Sequence, residues 1–185
     1  VLAGTGEGTF SPDAPIDRSS AAAILNRLVL PESRVTSALD TPAAGTTVES
    51  ADGVFRLTFG TGNWEEAQQD GAAGVTFTDQ NGTLKALSFA KSGQSAATLE
   101  DFSVSRLTAL RDARGGVELL EQPDVILFRG LPAVFYRYQE GTTVYTVFSV
   151  ENSNSYVELT LASPAGSEDA YPALLHTAYT LDLAL

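Results

Sequence analysis

Residues 131–161 read LPAVFYRYQEGTTVYTVFSVENSNSYVELTL. Three runs in it, 133–138, 143–150 and 156–161, are dense in Val, Phe, Tyr and Thr, whose branched or aromatic side chains fit a pleated surface. The gaps between them, punctuated by Gly141 and by Asn152 to Ser155, are too short for a helical crossover. Strands joined by such tight turns run antiparallel.

The pattern extends upstream. Runs 117–120 and 125–128 add strands. Gly74-Val75-Thr76-Phe77-Thr78 meets Leu84-Lys85-Ala86-Leu87-Ser88-Phe89 across Asn81-Gly82, a hairpin turn pair. Val54-Phe55-Arg56-Leu57-Thr58-Phe59 alternates and stops at Gly60. Two helices complete the reading. Thr98 caps the first, with Asp101 three residues on, Leu99, Phe102, Leu107 and Leu110 along one face, and Gly115-Gly116 at its end. Ser167-Glu168-Asp169 caps the second, which turns Tyr171, Leu174, Leu175, Ala178 and Leu181 inward. Consecutive hairpins without alternating βαβ units predict an α+β fold, an antiparallel β-sheet covered by two main helices.

The order of short motifs over residues 52–183 resembles the PsbP-like superfamily. A strand of the type G-F-x-F-x-x-P followed by Trp is matched by Gly53-Val54-Phe55-Arg56-Leu57-Thr58-Phe59 and then Asn63-Trp64. A G-x-P-A-x-x-Y strand is matched by Gly130-Leu131-Pro132-Ala133-Val134-Phe135-Tyr136, with Ser155-Tyr156-Val157-Glu158-Leu159-Thr160 in a later strand. The resemblance implies an α/β/α sandwich that serves as a non-catalytic binding or scaffold module. No functional residue set carries over from it.

Residues 1–28 read VLAGTGEGTFSPDAPIDRSSAAAILNRL. Gly4, Gly6 and Gly8 permit tight bends ahead of Phe10, and Pro12 and Pro15 keep the chain extended. Asp17 caps a short helix with Ala21, Ala22, Ile24, Leu25 and Leu28 on one face, and Pro31 closes it. The order G-T-F-x-P-D, P-I-x-R and alanine-rich helix, over residues 1–30, resembles the second half of an S-layer homology (SLH) repeat. This implies a secreted, extracellular protein on a bacterial cell wall. SLH repeats of the parent protein would grip wall polysaccharide, with Arg18 at the position of the gripping arginine. A half-repeat alone is expected to pack on its neighbour or to be the trimmed end of an array. Residues 32–51, rich in Ser, Thr, Ala and Gly, read as a linker between segment 1–31 and a main domain, 52–185.

Composition narrows the partners. The chain of 185 residues is 43% hydrophobic, as in globular proteins, with no apolar run of roughly 18 residues to span a membrane. It carries 23 acidic and 11 basic side chains, a net charge of −12, which repels nucleic acid and anionic lipid. Without cysteine, disulfides and thiolate chemistry are excluded. The chain also lacks methionine and reads as a processed or excised piece.

Candidate chemistry is sparse. His176 is the lone histidine, at the edge of a helical apolar face, and no G-x-S-x-G elbow accompanies it. Glu65-Glu66, Glu100-Asp101 and Glu168-Asp169 fall near expected helix starts, where carboxylates complement the helix dipole. Asp79 to Gly82 reads as a turn and not a calcium loop, and Gly4 to Gly8 lacks the lysine of a phosphate cradle. No catalytic, metal or cofactor residue is assigned, and no cofactor is expected. Tyr136, Tyr138, Tyr145 and Tyr156 remain as ligand-binding candidates, a tyrosine row facing outward while Phe135, Phe148 and Val157 face the helices. Cross-strand pairing, or cover by the N-terminal segment, is the plainer account of that row. The expected function is a non-catalytic binding or scaffold module at the cell surface, its protein or glycan ligand unidentified. The alternatives are a wall hydrolase using carboxylates such as Asp101 or Glu158, and a carrier of a small apolar ligand between sheet and helix.

Overall fold

The computed structural model describes residues 45–60, 62–69, 71–80, 82–167 and 170–183, with backbone alone over 170–173. All lie in the unit Pro42–Leu185. The SLH-like segment with Arg18, the turn residue Asn81, the Glu168-Asp169 cap and the Tyr171 side chain lie outside the described residues.

The elements run β1 (Thr46–Glu49), β2 (Phe55–Phe59), β3 (Asn63–Gln69), β4 (Ala72–Asp79), β5 (Gly82–Ala90), α1 (Leu99–Ala113), β6 (Val117–Phe128), β7 (Leu131–Glu140), β8 (Thr143–Glu151), β9 (Ser155–Pro164), α2 (Ala170–Ala178) and β10 (Asp182–Leu183). Seven strands form the main sheet in the order β3-β4-β5-β9-β8-β7-β6, with every pairing antiparallel. A smaller sheet, β1-β2-β10, is likewise antiparallel. The fold is α+β, as the hairpin pattern requires.

Both faces of the main sheet are covered. One carries Leu84, Ala86, Ala133, Phe148, Val157 and Leu159, packed with Phe55, Leu57 and Phe59 of β2 and with Leu174 and Ala178 of α2. Phe59 stacks on Phe77 at 4.8 Å between ring centroids. The other face lies under α1. Leu87, Phe89, Val134 and Tyr156 meet Leu99 and Phe102, while Tyr136, Tyr138 and Val147 meet Leu107. Because both faces are apolar, runs such as 155–161 show no clean polar alternation.

Local signals hold where they are described. The Thr98 hydroxyl accepts the Asp101 backbone N–H at 3.0 Å and caps α1. At the β4–β5 turn, the Gly82 N–H donates to Asp79 Oδ1 at 3.2 Å, and Gly82 adopts a φ of 147°. Within β4, a Cβ added to Gly74 would lie 1.9 Å from the Ala86 carbonyl oxygen, so only glycine fits this close crossing.

Several expectations are corrected. Residues 46–49, inside the segment read as a linker, form β1 and bury Val48 against β2. The run 54–59 belongs to the smaller sheet and not to the main one. Runs 117–120 and 125–128 are halves of one strand, β6, which register shifts between Leu119 and Asp124 carry past Pro123. An edge strand accepts a proline at such an irregularity because its outer N–H groups have no ladder partner. Glu65-Glu66, placed near a helix start, sit in the edge strand β3.

Candidate functional site

Strand register builds the floor of a cleft. On the α1 face, Tyr138 of β7 pairs with Tyr145 of β8, which pairs with Ala162 of β9, which pairs with Thr83 of β5. The next row runs Tyr136, Val147, Thr160, Lys85, and the third ends in Glu158 and Leu87. Helix α1 packs along β6, β7 and β8 and roofs part of this surface. Its residues Arg106, Ala109, Leu110 and Ala113, at helical spacing, form the upper wall with Arg114, the residue that follows the helix. Between them lies a cleft of about 570 Å³, which Gln69 of β3 reaches from the sheet edge.

The tyrosines stack in sequence, Tyr136 on Tyr138 at 6.4 Å and Tyr138 on Tyr145 at 4.7 Å with rings 8° from parallel. Tyr136 and Tyr138 are each 3% exposed. Burial pushes the Tyr136 hydroxyl far above the usual tyrosine range, and the Glu158 carboxylate adds to the shift. Tyr138 is raised by burial and then by Tyr145. No described residue hydrogen-bonds either hydroxyl, and both side chains line the cleft.

Charge enters in pairs. Glu158, buried, receives Arg106 Nε at 3.2 Å and Arg106 Nη2 at 3.1 Å. The same guanidinium lies 4.6 Å from the centre of the Phe89 ring. Arg114 donates to Glu140 at 2.8 Å, and that hydrogen bond raises its pKa. Lys85 donates to the Gln69 side-chain oxygen at 3.1 Å.

Three of the four tyrosines named from sequence therefore line one site, but they do not form an outward platform. The expected row is covered by α1 because the tyrosine face is itself half of the core. Tyr156, 2% exposed, belongs to the neighbouring cluster, where it stacks on Phe102 at 4.4 Å. Its hydroxyl donates to the Ala96 carbonyl, and Lys91 lies over its ring. Glu158 is in the cleft, whereas Asp101 is exposed in the first turn of α1 and is not part of the lining. His176 is half-buried on α2. Sequence reasoning missed Lys85, Arg106 and Arg114. The signal for Lys85 was the register, which sets it in line with Thr160, Val147 and Tyr136. The signal for the arginines was their spacing around Leu110.

The α+β sandwich defines a PsbP-like fold. Among solved structures the chain is similar to PsbP (CyanoP) from Synechocystis sp. PCC 6803, with a TM-score of 0.55 and 13% identity over 82% of this chain and 98% of that one. A Bacteroides thetaiotaomicron VPI-5482 protein gives a TM-score of 0.48 at 15% identity, over 76% of this chain and 49% of that one. Protein PA94 of unknown function from Pseudomonas aeruginosa gives 0.47 at 15%, over 76% and 97%. No protein-family model matches the chain, and no curated protein matches it in sequence. None of these likenesses supports an SLH repeat in residues 1–30. Among the described residues no helix is long and apolar enough to cross a membrane.

Proposed function

We propose that this domain is a non-catalytic binding module whose ligand lies in the cleft between α1 and the sheet. One observation carries the reading: a cleft of about 570 Å³ whose floor holds two buried tyrosines with hydroxyls that no described residue engages. Sites for small molecules share this size and also combine apolar side chains, here Leu87, Leu110 and Val147, with polar groups that converge on one space. A glycan hydrolase would need two carboxylates facing each other across its substrate, about 5–9.5 Å apart. Among the described residues, Glu158 is the one carboxylate in the cleft lining, and Arg106 clamps it. A carrier of purely apolar ligands fits less well, since Lys85, Arg106 and Arg114 all enter the lining.

Attachment to the outside of a bacterial cell wall is the second part of the proposal and rests on the SLH-like order of residues 1–30, with wall polysaccharide held by repeats of the parent protein. The test of the cleft is a screen of small soluble compounds of mixed charge against the ¹⁵N-labelled protein. Amide shifts concentrated on Leu110, Tyr138 and Val147 are expected. Hits that fall elsewhere, or nowhere, overturn the cleft as the ligand site. For the wall, the full chain is sedimented with purified cell walls beside a version beginning at Gly45. Binding that survives removal of residues 1–44 removes Arg18 from the reading.

A further inference from the structure

We infer that the cleft selects an organic monoanion, an apolar body about two rings long bearing one carboxylate, and that Lys85 holds the acid. The inference rests on the cleft being the ligand site.

The sign of the local charge is the first support. The chain carries 23 acidic to 11 basic side chains, yet among the described residues the cleft lining holds Lys85, Arg106 and Arg114 against Glu158, three cations to one carboxylate. A positive site in a negative molecule keeps its field best where walls of low dielectric shield it, as in a cleft roofed by a helix.

Two of the cations are already committed. Arg106 gives both Nε and Nη2 to Glu158, and Arg114 is bound to Glu140 at 2.8 Å. Drawing Arg106 away would strand a buried carboxylate, at a cost no weak ligand offsets. Lys85 differs. Its described partner is the neutral amide oxygen of Gln69, and an ammonium group has three N–H donors. Two donors and a full charge remain for an incoming group. One ammonium matches one negative charge. The guanidinium forks that suit a phosphate dianion are occupied.

Register then sets the body of the ligand. From Lys85 the row passes Thr160 and Val147 to Tyr136, three strand spacings of about 4.8 Å each, or roughly 14 Å in all. Val147 lies in this row and Leu110 in the wall above, so apolar side chains flank the stretch next to Tyr136, and the Thr160 position lies between Val147 and the charged end.

The test titrates the labelled protein with 2-naphthylacetate and with its neutral isostere 2-naphthylacetamide. The acid is expected to shift the Lys85, Thr160 and Val147 amides and to bind about 10-fold more tightly than the amide. Lys85→Met should bring that ratio close to one with an otherwise unchanged spectrum, and Lys85→Arg should keep most of it. Raising NaCl to about 0.5 M should weaken the acid alone. Equal binding of acid and amide in the cleft, or a ratio that survives Lys85→Met, overturns the inference and leaves the cleft as a ligand site. If neither compound shifts a cleft amide, the inference and the reading of the cleft fall together.

Discussion

Glu158 shows what a single buried charge demands. Its carboxylate is nearly sealed, and two Arg106 nitrogens satisfy it. Removing Arg106 leaves that carboxylate without its cation, while removing the charge on Glu158 leaves a guanidinium that still reaches water. Arg106→Met should therefore cost about 2–3 kcal/mol in urea unfolding at pH 7, and Glu158→Gln clearly less, since the arginine is partly exposed. An equal cost for both would mean that the pair is screened as at a surface. The tyrosines give a second prediction. Burial raises Tyr136 and Tyr138 in the folded chain, while in the unfolded chain they ionise near about pH 10. Their contribution to stability is thus complete below about pH 10 and is lost as the pH climbs through the higher folded values. Urea midpoints measured between pH 8 and roughly 11.5 should fall beyond pH 10, and more gently in Tyr138→Phe. An unchanged slope in that variant would show that the loss arises elsewhere.

Among the elements, α1 is the one whose ends and face were written plainly in the chain. Thr98 caps it as its position required, and Thr98→Ala should cost about 1 kcal/mol by urea unfolding. The strands that escaped notice share a cause. β3 reads NWEEAQQ and is exposed along nearly its whole length, so neither apolar alternation nor an apolar run marks it. Its pairing with β4, and not its own side chains, makes it a strand. β6 was read as two strands because Pro123 and the charged pair Glu121 and Asp124 interrupt its apolar positions. Beyond that interruption the edge is unprotected: Val125 is 59% exposed and Leu127 73%. Leu127→Lys should reduce light scattering on heating without lowering the unfolding midpoint, because a charge on an edge strand opposes strand addition. Unchanged scattering would move the aggregating segment elsewhere.

At the scale of the molecule, the sandwich was readable from hairpins and two amphipathic helices, while the smaller sheet was not. Its strands β1 and β10 have 4 and 2 residues, too short to show a period, and they are strands only because β2 lies between them. The cleft was half readable. Tyrosines on alternate positions could be seen, but which face α1 covers and which cations it brings depend on contacts between distant parts of the chain. One boundary can be tested directly. A chain beginning at Gly45 keeps Val48, and it keeps Ser50, whose hydroxyl accepts the Val54 and Phe55 backbone N–H groups. One beginning at Asp52 loses both, and should be less stable by about 2 kcal/mol or more in urea. Equal stability would return residues 45–51 to the status of a linker.

The smaller sheet has a consequence for handling and for assembly into larger polypeptides. β1 and β10 flank the same strand and lie against the sheet face opposite the tyrosines. A bead, a fluorescent partner or a neighbouring module spliced on at Gly45 or after Leu183 therefore joins at the back of the molecule. Either junction can be loaded while the mouth at the front stays open to whatever diffuses past.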